Sequence, residues 1–348
     1  MAFCDIIYRV ITVMEVNGMV LNLQQMQEIT RGASRIEETD GYFCLRRFTK
    51  RQADTYREAG EEGLYRRTYS TAGIRLALRT DSKRLTFDYR RTVATSRPTA
   101  YFDVYENRHM TAHFGFETLQ PETGHVEILL SEGEKSVEIY FPWEACFDLA
   151  NVQIDEGASL TGLYRPRKLL CFGDSITQGV YSNHPSLSYA CRLADLLDAD
   201  LTNKGIGGDM VFPELVCECE ANMPDLITVA YGTNDWGCRA RDEFLQKYTL
   251  FMQKLTEMYP KIPICAITPV WRADWNKKGT KMGIPAYEVE NLIREACRGF
   301  SSVRVISGWK VIPAYTDFYY DGVHPNDLGF GVYAENLYRT VKEEFDKI

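Results

Sequence analysis

Short segments of alternating or β-rich character dominate the first part of the chain: Ile74–Leu78, Leu85–Tyr89, Ala100–Val104, Thr111–Phe116, Val126–Leu130, Val137–Phe141 and Val152–Ile154. Turn-forming stretches separate them, among them Thr80-Asp81-Ser82, Glu106-Asn107, Pro121-Glu122-Thr123-Gly124 and Ser131-Glu132-Gly133. This spacing predicts an antiparallel β-sandwich. Residues 1–70 are less regular: Gln24–Thr30 and Lys50–Glu62 admit helix or irregular structure, and the polar stretch Arg51–Arg67 reads as an exposed connection. Near residue 160 the pattern changes, and apolar runs begin to alternate with helical periodicity. Strands are expected at Leu169–Phe172, Asp200–Thr202, Leu226–Tyr231, Ile262–Thr268 and Val303–Ile306. Helices are expected at Leu187–Leu197, Val211–Ala221, Arg241–Met258, Ala286–Phe300 and Asn326–Phe345. Such alternation predicts a doubly wound three-layer α/β/α domain over residues 161–348, preceded by an all-β domain over 1–160. In that architecture, ligands meet the carboxyl ends of the strands.

The turns after those strands hold the chemistry. Gly173-Asp174-Ser175-Ile176-Thr177-Gln178-Gly179 sets a hydroxyl at the end of the first strand. A serine needs a base near neutral pKa and a group to orient that base. Of five histidines, His109, His113 and His125 fall in the sandwich, leaving His184 and His324. His324 lies in Asp321-Gly322-Val323-His324-Pro325, close enough in sequence for Asp321 to hold its imidazole across one loop. Oxyanion donors are available from the Ser175 N–H, the glycine-rich Asn203–Asp209 turn, and Asn234 in Gly232-Thr233-Asn234-Asp235. Asp174 beside the serine is expected to serve the turn through hydrogen bonds.

Two further segments border this region. Trp271-Arg272-Ala273-Asp274-Trp275 follows the fourth strand, where Trp271, Arg272 and Trp275 suit stacking against a sugar as well as they suit a packed loop. His184, in Asn183-His184-Pro185-Ser186, fits a surface turn better than the substrate mouth. Tyr101, Phe102 and Tyr105 fit a core role better than ligand contact.

Composition narrows the function classes. The 348 residues carry 40 basic and 48 acidic side chains, net −8, with no basic run, which argues against nucleic acid or an anionic membrane as partner. No apolar run approaches 18 residues, so a spanning helix is not expected. The stretch Met1–Val20 is interrupted by Asp5, Arg9 and Glu15 and reads poorly as a secretory signal, so a cytoplasmic location is expected. Ten scattered cysteines, Cys4 among them, read as reduced thiols, and Cys217 with Cys219 as incidental thiols on a helix rather than metal ligands.

Four blocks, Gly173-Asp174-Ser175, Asn203–Gly208, Gly232–Asp235 and Asp321–Pro325, resemble in order and spacing those of the SGNH (GDSL-like) hydrolases. The likeness covers about residues 165–345. It implies a flavodoxin-like α/β/α fold and ester hydrolysis without metal or cofactor. In that scheme Ser175 is the nucleophile, His324 the general base and Asp321 its partner, with Gly208 and Asn234 as oxyanion donors. Gly208 stands before an acidic residue as the family donor does, although the Gly207-Gly208 doublet leaves one residue of ambiguity. The G-x-S-x-G elbow of α/β-hydrolases is absent. A jelly-roll-like sandwich ahead of such a domain resembles carbohydrate esterase family 2, which implies removal of acetyl groups from a small-molecule or oligosaccharide ester. Some members of that group work with a serine–histidine dyad. A lipid-directed acylhydrolase or lysophospholipase, and a non-catalytic carbohydrate-binding or scaffolding protein, are the alternatives; the sandwich also leaves room for a homo-oligomer.

Overall fold

The computed structural model describes residues 18–95, 97, 99–118 and 121–345; Cys4 and most of the Met1–Val20 stretch lie outside them. Two six-stranded antiparallel sheets come first. One runs Arg35–Thr39, Tyr42–Arg46, Ala145–Asp155, Arg84–Val93, Thr123–Leu129, with Gly18–Val20 also pairing Ala145–Asp155. The other runs Thr161–Gly162, Arg75–Thr80, Lys135–Tyr140, Ala100–Glu106, His109–Phe116, with Thr30–Arg31 pairing Arg75–Thr80. Period-two alternation aims one side of each strand at the other sheet. The inner faces meet through aromatic rings: Phe102 lies 4.9 Å from Phe147 and 6.1 Å from Phe87, centroid to centroid.

The segments that read ambiguously fold as helices with complete capping boxes. Asn22 caps Leu23–Ile29 with Gln25 returning the bond, and Thr49 caps Lys50–Glu58 with Gln52 doing the same. The polar stretch Arg51–Arg67 is therefore not an exposed connection: Lys50–Glu58 and Glu62–Arg67 form two helices. Phe48, Ala53 and Tyr56 join the core of the second half.

That second half is a five-stranded parallel sheet ordered Ala199–Gly205, Arg167–Gly173, Leu226–Ala230, Ile264–Ile267, Val303–Ile306, which is 2-1-3-4-5 in chain order. Alternate strand residues serve opposite faces. Leu170, Phe172, Val229 and Ile264 pack under the helices Arg241–Met258 and Val289–Cys297, while Leu169, Cys171, Cys265 and Ile267 pack under Tyr189–Leu196 and Asp327–Phe345. Among the described residues no helix is long and apolar enough to cross a membrane.

The expected helix Val211–Ala221 is a correction. Only one 3₁₀ turn forms, at Pro213–Leu215. The following residues are drawn instead over buried cations: Glu220 lies 2.8 Å from Lys204, whose side chain is wholly buried. Cys217 and Cys219 are thus free thiols on an irregular segment.

Arg47, fully buried, ties the N-terminal segment to the parallel sheet. It donates to the carbonyls of Asn203 (2.8 Å), Gly205 (2.7 Å) and Ser70 (2.8 Å). Carbonyls at a strand end would otherwise be buried without partners, which is costly.

Candidate functional site

Three strands end side by side, with Gly173 in register with Gly205 on one side and Ala230 on the other. The Ile206 N–H donates to the Gly173 carbonyl at 3.0 Å, which holds the first two turns together. Gly173 is required by crowding: a Cβ there would sit 2.1 Å from Thr177 Oγ1 and 2.8 Å from the Ala230 carbonyl oxygen. The chain then enters a single helical turn, Ser175–Gln178, capped by Asp174, whose Oδ1 accepts the Ile176 N–H at 3.0 Å. Asp174 therefore serves the turn. Burial, with repulsion from Asp235, pushes its pKa up to about 7.

Ser175 is the first residue of that turn, so its N–H has no intrahelical partner. Its Oγ lies 2.8 Å from His324 Nε2. On the far side of the ring, His324 Nδ1 lies 2.9 Å from Asp321 Oδ2. Asp321 Oδ1 accepts the N–H groups of Val323 (3.0 Å) and His324 (2.9 Å), so the loop itself aims the carboxylate. An ionised Asp321 fixes the tautomer with hydrogen on Nδ1, leaving Nε2 to accept from Ser175. Burial lowers the His324 pKa from its ordinary value, Asp321 opposes the shift, and the charges of Arg97 and Arg272 reinforce it. Asp321 is held below the usual carboxylate range: burial works against its charge, but the His324 N–H and imidazole outweigh that.

The glycine doublet has unequal partners. The Gly207 N–H donates to Gln178 Oε1 at 2.6 Å, whereas the Gly208 N–H has no hydrogen bond among the described residues. Gly208 takes φ +83°, a conformation costly for other residues. A Cβ at Gly207 would lie 3.8 Å from Ser175 Cβ, so this turn flanks the hydroxyl. Asn234, near the start of the short helix Thr233–Cys238, donates one amide hydrogen to the Asp209 carbonyl at 2.8 Å; the second has no partner among the described residues. Asp209 is fixed in turn by Tyr56 (2.7 Å) and Tyr231 (3.1 Å), and burial pushes its carboxyl up to about 8.

Other sequence candidates lie differently. His184 turns away to the sandwich, its Nδ1 2.9 Å from Asp103 Oδ1, the atom His113 Nδ1 also approaches at 2.8 Å. These three residues offer ligand atoms within 4.8 Å of one another. However, Asp103 Oδ2 also accepts the Ser186 N–H and hydroxyl, so the carboxylate is already fully engaged by protein donors. Trp271 packs against Tyr319 at 5.0 Å and Trp275 against Tyr287 at 5.8 Å, both half-buried. Arg272 pairs with Asp274, donates to the Thr233 carbonyl at 3.1 Å, and covers the Trp236 ring at 4.7 Å. Their loop abuts the histidine turn, with the Ala273 N–H bonded to the Gly322 carbonyl at 2.6 Å. In the sandwich, Phe102 is core, while Tyr105 donates or accepts at Ser186 Oγ, 2.9 Å away.

Several neighbours were not legible beforehand. Gln178 stood inside a recognised block without a feature marking it. Arg67, which donates to the Gly207 carbonyl, and Tyr56 reach the site from more than 100 positions away. Two concavities of about 740 and 450 Å³ lie elsewhere, lined by residues such as Lys50 and Glu218, or Tyr105 and Glu335, and neither includes Ser175 or His324.

No curated protein matches the sequence. Among solved structures, the salicylyl-acyltransferase SsfX3 from a tetracycline biosynthetic pathway aligns over 90% of this chain and 94% of its own, at 22% identity and TM-score 0.80. The acetyl xylan esterase Est2A of Butyrivibrio proteoclasticus aligns over 92% and 96%, at 14% identity and TM-score 0.64. A family two carbohydrate esterase of Clostridium thermocellum, in complex with cellohexaose, aligns over 80% and 95%, at 17% identity and TM-score 0.62. At these identities the likeness is one of fold. The sequence itself goes further: residues 171–332 match the model of the GDSL-like lipase/acylhydrolase family, and the chain carries a domain of that family.

Proposed function

We propose that the protein is a serine esterase acting through Ser175, His324 and Asp321, and that its substrates are O-acetylated carbohydrates. The observation that carries this reading is the continuous relay from Ser175 Oγ to His324 Nε2 (2.8 Å) and from His324 Nδ1 to Asp321 (2.9 Å). His324 takes the hydroxyl proton as Ser175 Oγ bonds to the ester carbonyl carbon. The N–H groups of Ser175 and Gly208 and the second amide hydrogen of Asn234 receive the charge on oxygen. Collapse breaks the bond to the alcohol, which leaves with the proton from His324 and yields the acyl-enzyme. Water, deprotonated by the same imidazole, then releases the acid. No step calls for a metal or cofactor.

The carbohydrate part of the proposal draws on the family two esterases among the structures of similar fold and on the sandwich ahead of the hydrolase domain. We take that sandwich to be jelly-roll-like and residues 161–348 to be a flavodoxin-like domain. SsfX3 is named an acyltransferase, and the same acyl-enzyme would serve transfer if an alcohol replaced water. The test is Ser175→Ala assayed on 4-nitrophenyl acetate and acetylated oligosaccharides, with added alcohols as competing acceptors. Turnover should fall by roughly 10⁴-fold or more, and a loss below about tenfold would overturn the nucleophile assignment.

A further inference from the structure

Tyr181 takes φ +70°, a backbone region that bulky side chains enter only when the surroundings enforce it, and such residues cluster at functional sites. Here the enforcement is visible. The next residue, Ser182, donates its N–H to the Gly179 carbonyl at 2.9 Å and accepts Trp143 Nε1–H on its own carbonyl at 2.9 Å. The outcome is a phenol ring 5.3 Å from the His324 ring and stacked on Tyr320 at 4.1 Å and 17°. Tyr320 is 64% exposed, and its N–H donates to the His324 carbonyl at 2.9 Å, so the stack is built into the histidine loop.

Arg97 completes the feature. Its guanidinium covers the Tyr181 ring at 4.1 Å and bonds the Tyr181 hydroxyl. Among the described residues no carboxylate lies within ion-pair distance of it, whereas Arg272, the other guanidinium near His324, is paired with Asp274. The histidine loop thus presents two stacked phenols and one uncompensated cation with donors to spare.

Their position identifies the half of the substrate they meet. His324 Nε2 returns its proton to the departing alcohol oxygen, so groups bordering the imidazole face the alcohol rather than the acyl chain. An exposed aromatic face suits the apolar face of a sugar ring, and a planar guanidinium suits a carboxylate held by two parallel hydrogen bonds. We infer that the alcohol half of the ester is an anionic carbohydrate, a sugar acid whose carboxylate is held by Arg97. This inference rests on the esterase reading above.

The test compares kcat/KM, by acetate release, for an O-acetylated methyl glucuronide and the matching O-acetylated methyl glucoside, at a pH above the acid limb. Wild type should prefer the anionic substrate by about tenfold or more, as expected for a desolvated bidentate pair. Arg97→Gln should abolish that preference while its thermal midpoint and far-UV circular dichroism stay those of wild type, which certifies folding. Arg97→Lys should keep part of it. Equal rates on the two sugars, or a preference that survives Arg97→Gln, would overturn the inference and leave the esterase reading standing. Hydrolysis of 4-nitrophenyl acetate no faster than by Ser175→Ala would overturn both.

Discussion

The Gly207 N–H donates to Gln178 Oε1 at 2.6 Å, so one glycine of the doublet is spoken for, while the Gly208 N–H has no partner among the described residues. Gln178 is itself clamped, its Nε2 bonded to the Trp143 carbonyl at 2.9 Å and Ser70 Oγ at 3.3 Å, and it is 1% exposed. The amide therefore sets the orientation of the turn that carries Gly208. Gln178→Ala should lower kcat by roughly 10- to 100-fold with little change in KM, because a displaced oxyanion donor is felt only in the transition state. Steady-state kinetics on a neutral acetyl ester checks this. A purely raised KM would assign Gln178 to substrate binding instead.

The pH profile follows from His324. On the proposed mechanism, catalysis by the neutral imidazole is lost as pH falls through its pKa, and burial, reinforced by Arg97 and Arg272, lowers that pKa. The acid limb of kcat/KM should therefore lie below about 6.5, the ordinary histidine value. Arg97→Gln removes a repelling cation and should move the limb upward. Asp321→Asn removes the attraction that favours the imidazolium and should move it down. That variant should also lose about 10³- to 10⁴-fold in kcat if Asp321 selects the tautomer; a near-neutral result would point to a serine–histidine dyad.

How far all this could be read from the chain depended on whether the cause was local. The parallel-sheet strands, the helix Arg241–Met258 and the turn blocks around Ser175 and His324 were legible because periodicity and glycine placement act over a few residues. The strand pair Arg35–Thr39 and Tyr42–Arg46 was missed, as was the true length of Ala145–Asp155. Their sequence mixes charged and apolar residues, and long-range pairing decides their structure. Arg46 and Asp148, 2.7 Å apart, illustrate it: a buried ion pair between strands about 100 positions distant leaves no local periodic mark. The helix expected at Val211–Ala221 failed for the same reason, since Lys204 draws Glu220 into a buried pair. At the site, the capping box at Thr49 was present in the sequence as Thr-x-x-Gln, and it could have announced the helix that brings Tyr56 to Asp209.

Asp209 should make the protein lose stability with rising pH. Burial, only partly offset by hydrogen bonds from Tyr56 and Tyr231, raises its folded-state pKa to about 8, above the unfolded value. The folded state therefore holds a proton that the unfolded state releases. That stabilisation is complete below the unfolded pKa of about 4 and is lost progressively as pH rises through the folded value. Groups with depressed pKa, such as Asp148 and Asp155, are already ionised in both states above about pH 6 and leave this window flat. Thermal midpoints should fall between about pH 6 and pH 9, and Asp209→Asn should reduce the slope, the remainder coming from Asp174 and Glu144, whose carboxyls burial also raises. A midpoint that rises over this range would contradict it.

Lys204 and Glu220 offer the sharpest energetic test. Both are buried, 2.8 Å apart, and Lys204 also donates to Ser34 Oγ (2.8 Å), the Arg47 carbonyl (2.6 Å) and Gln52 Oε1 (2.8 Å). Lys204→Met leaves the Glu220 carboxylate without its counter-charge and should destabilise the protein by about 3–5 kcal/mol, the usual penalty for orphaning a buried ion. Adding Glu220→Gln removes the orphaned charge while Ser34 and Gln52 can still bond the new amide. The double variant should therefore be more stable than Lys204→Met alone, a coupling of opposite sign to the single losses. Urea unfolding followed by tryptophan fluorescence reads both quantities. Simple additivity of the two substitutions would mean that the cation acts through its bonds to Ser34, Arg47 and Gln52, the contacts that join the N-terminal segment to the sheet, and not through Glu220.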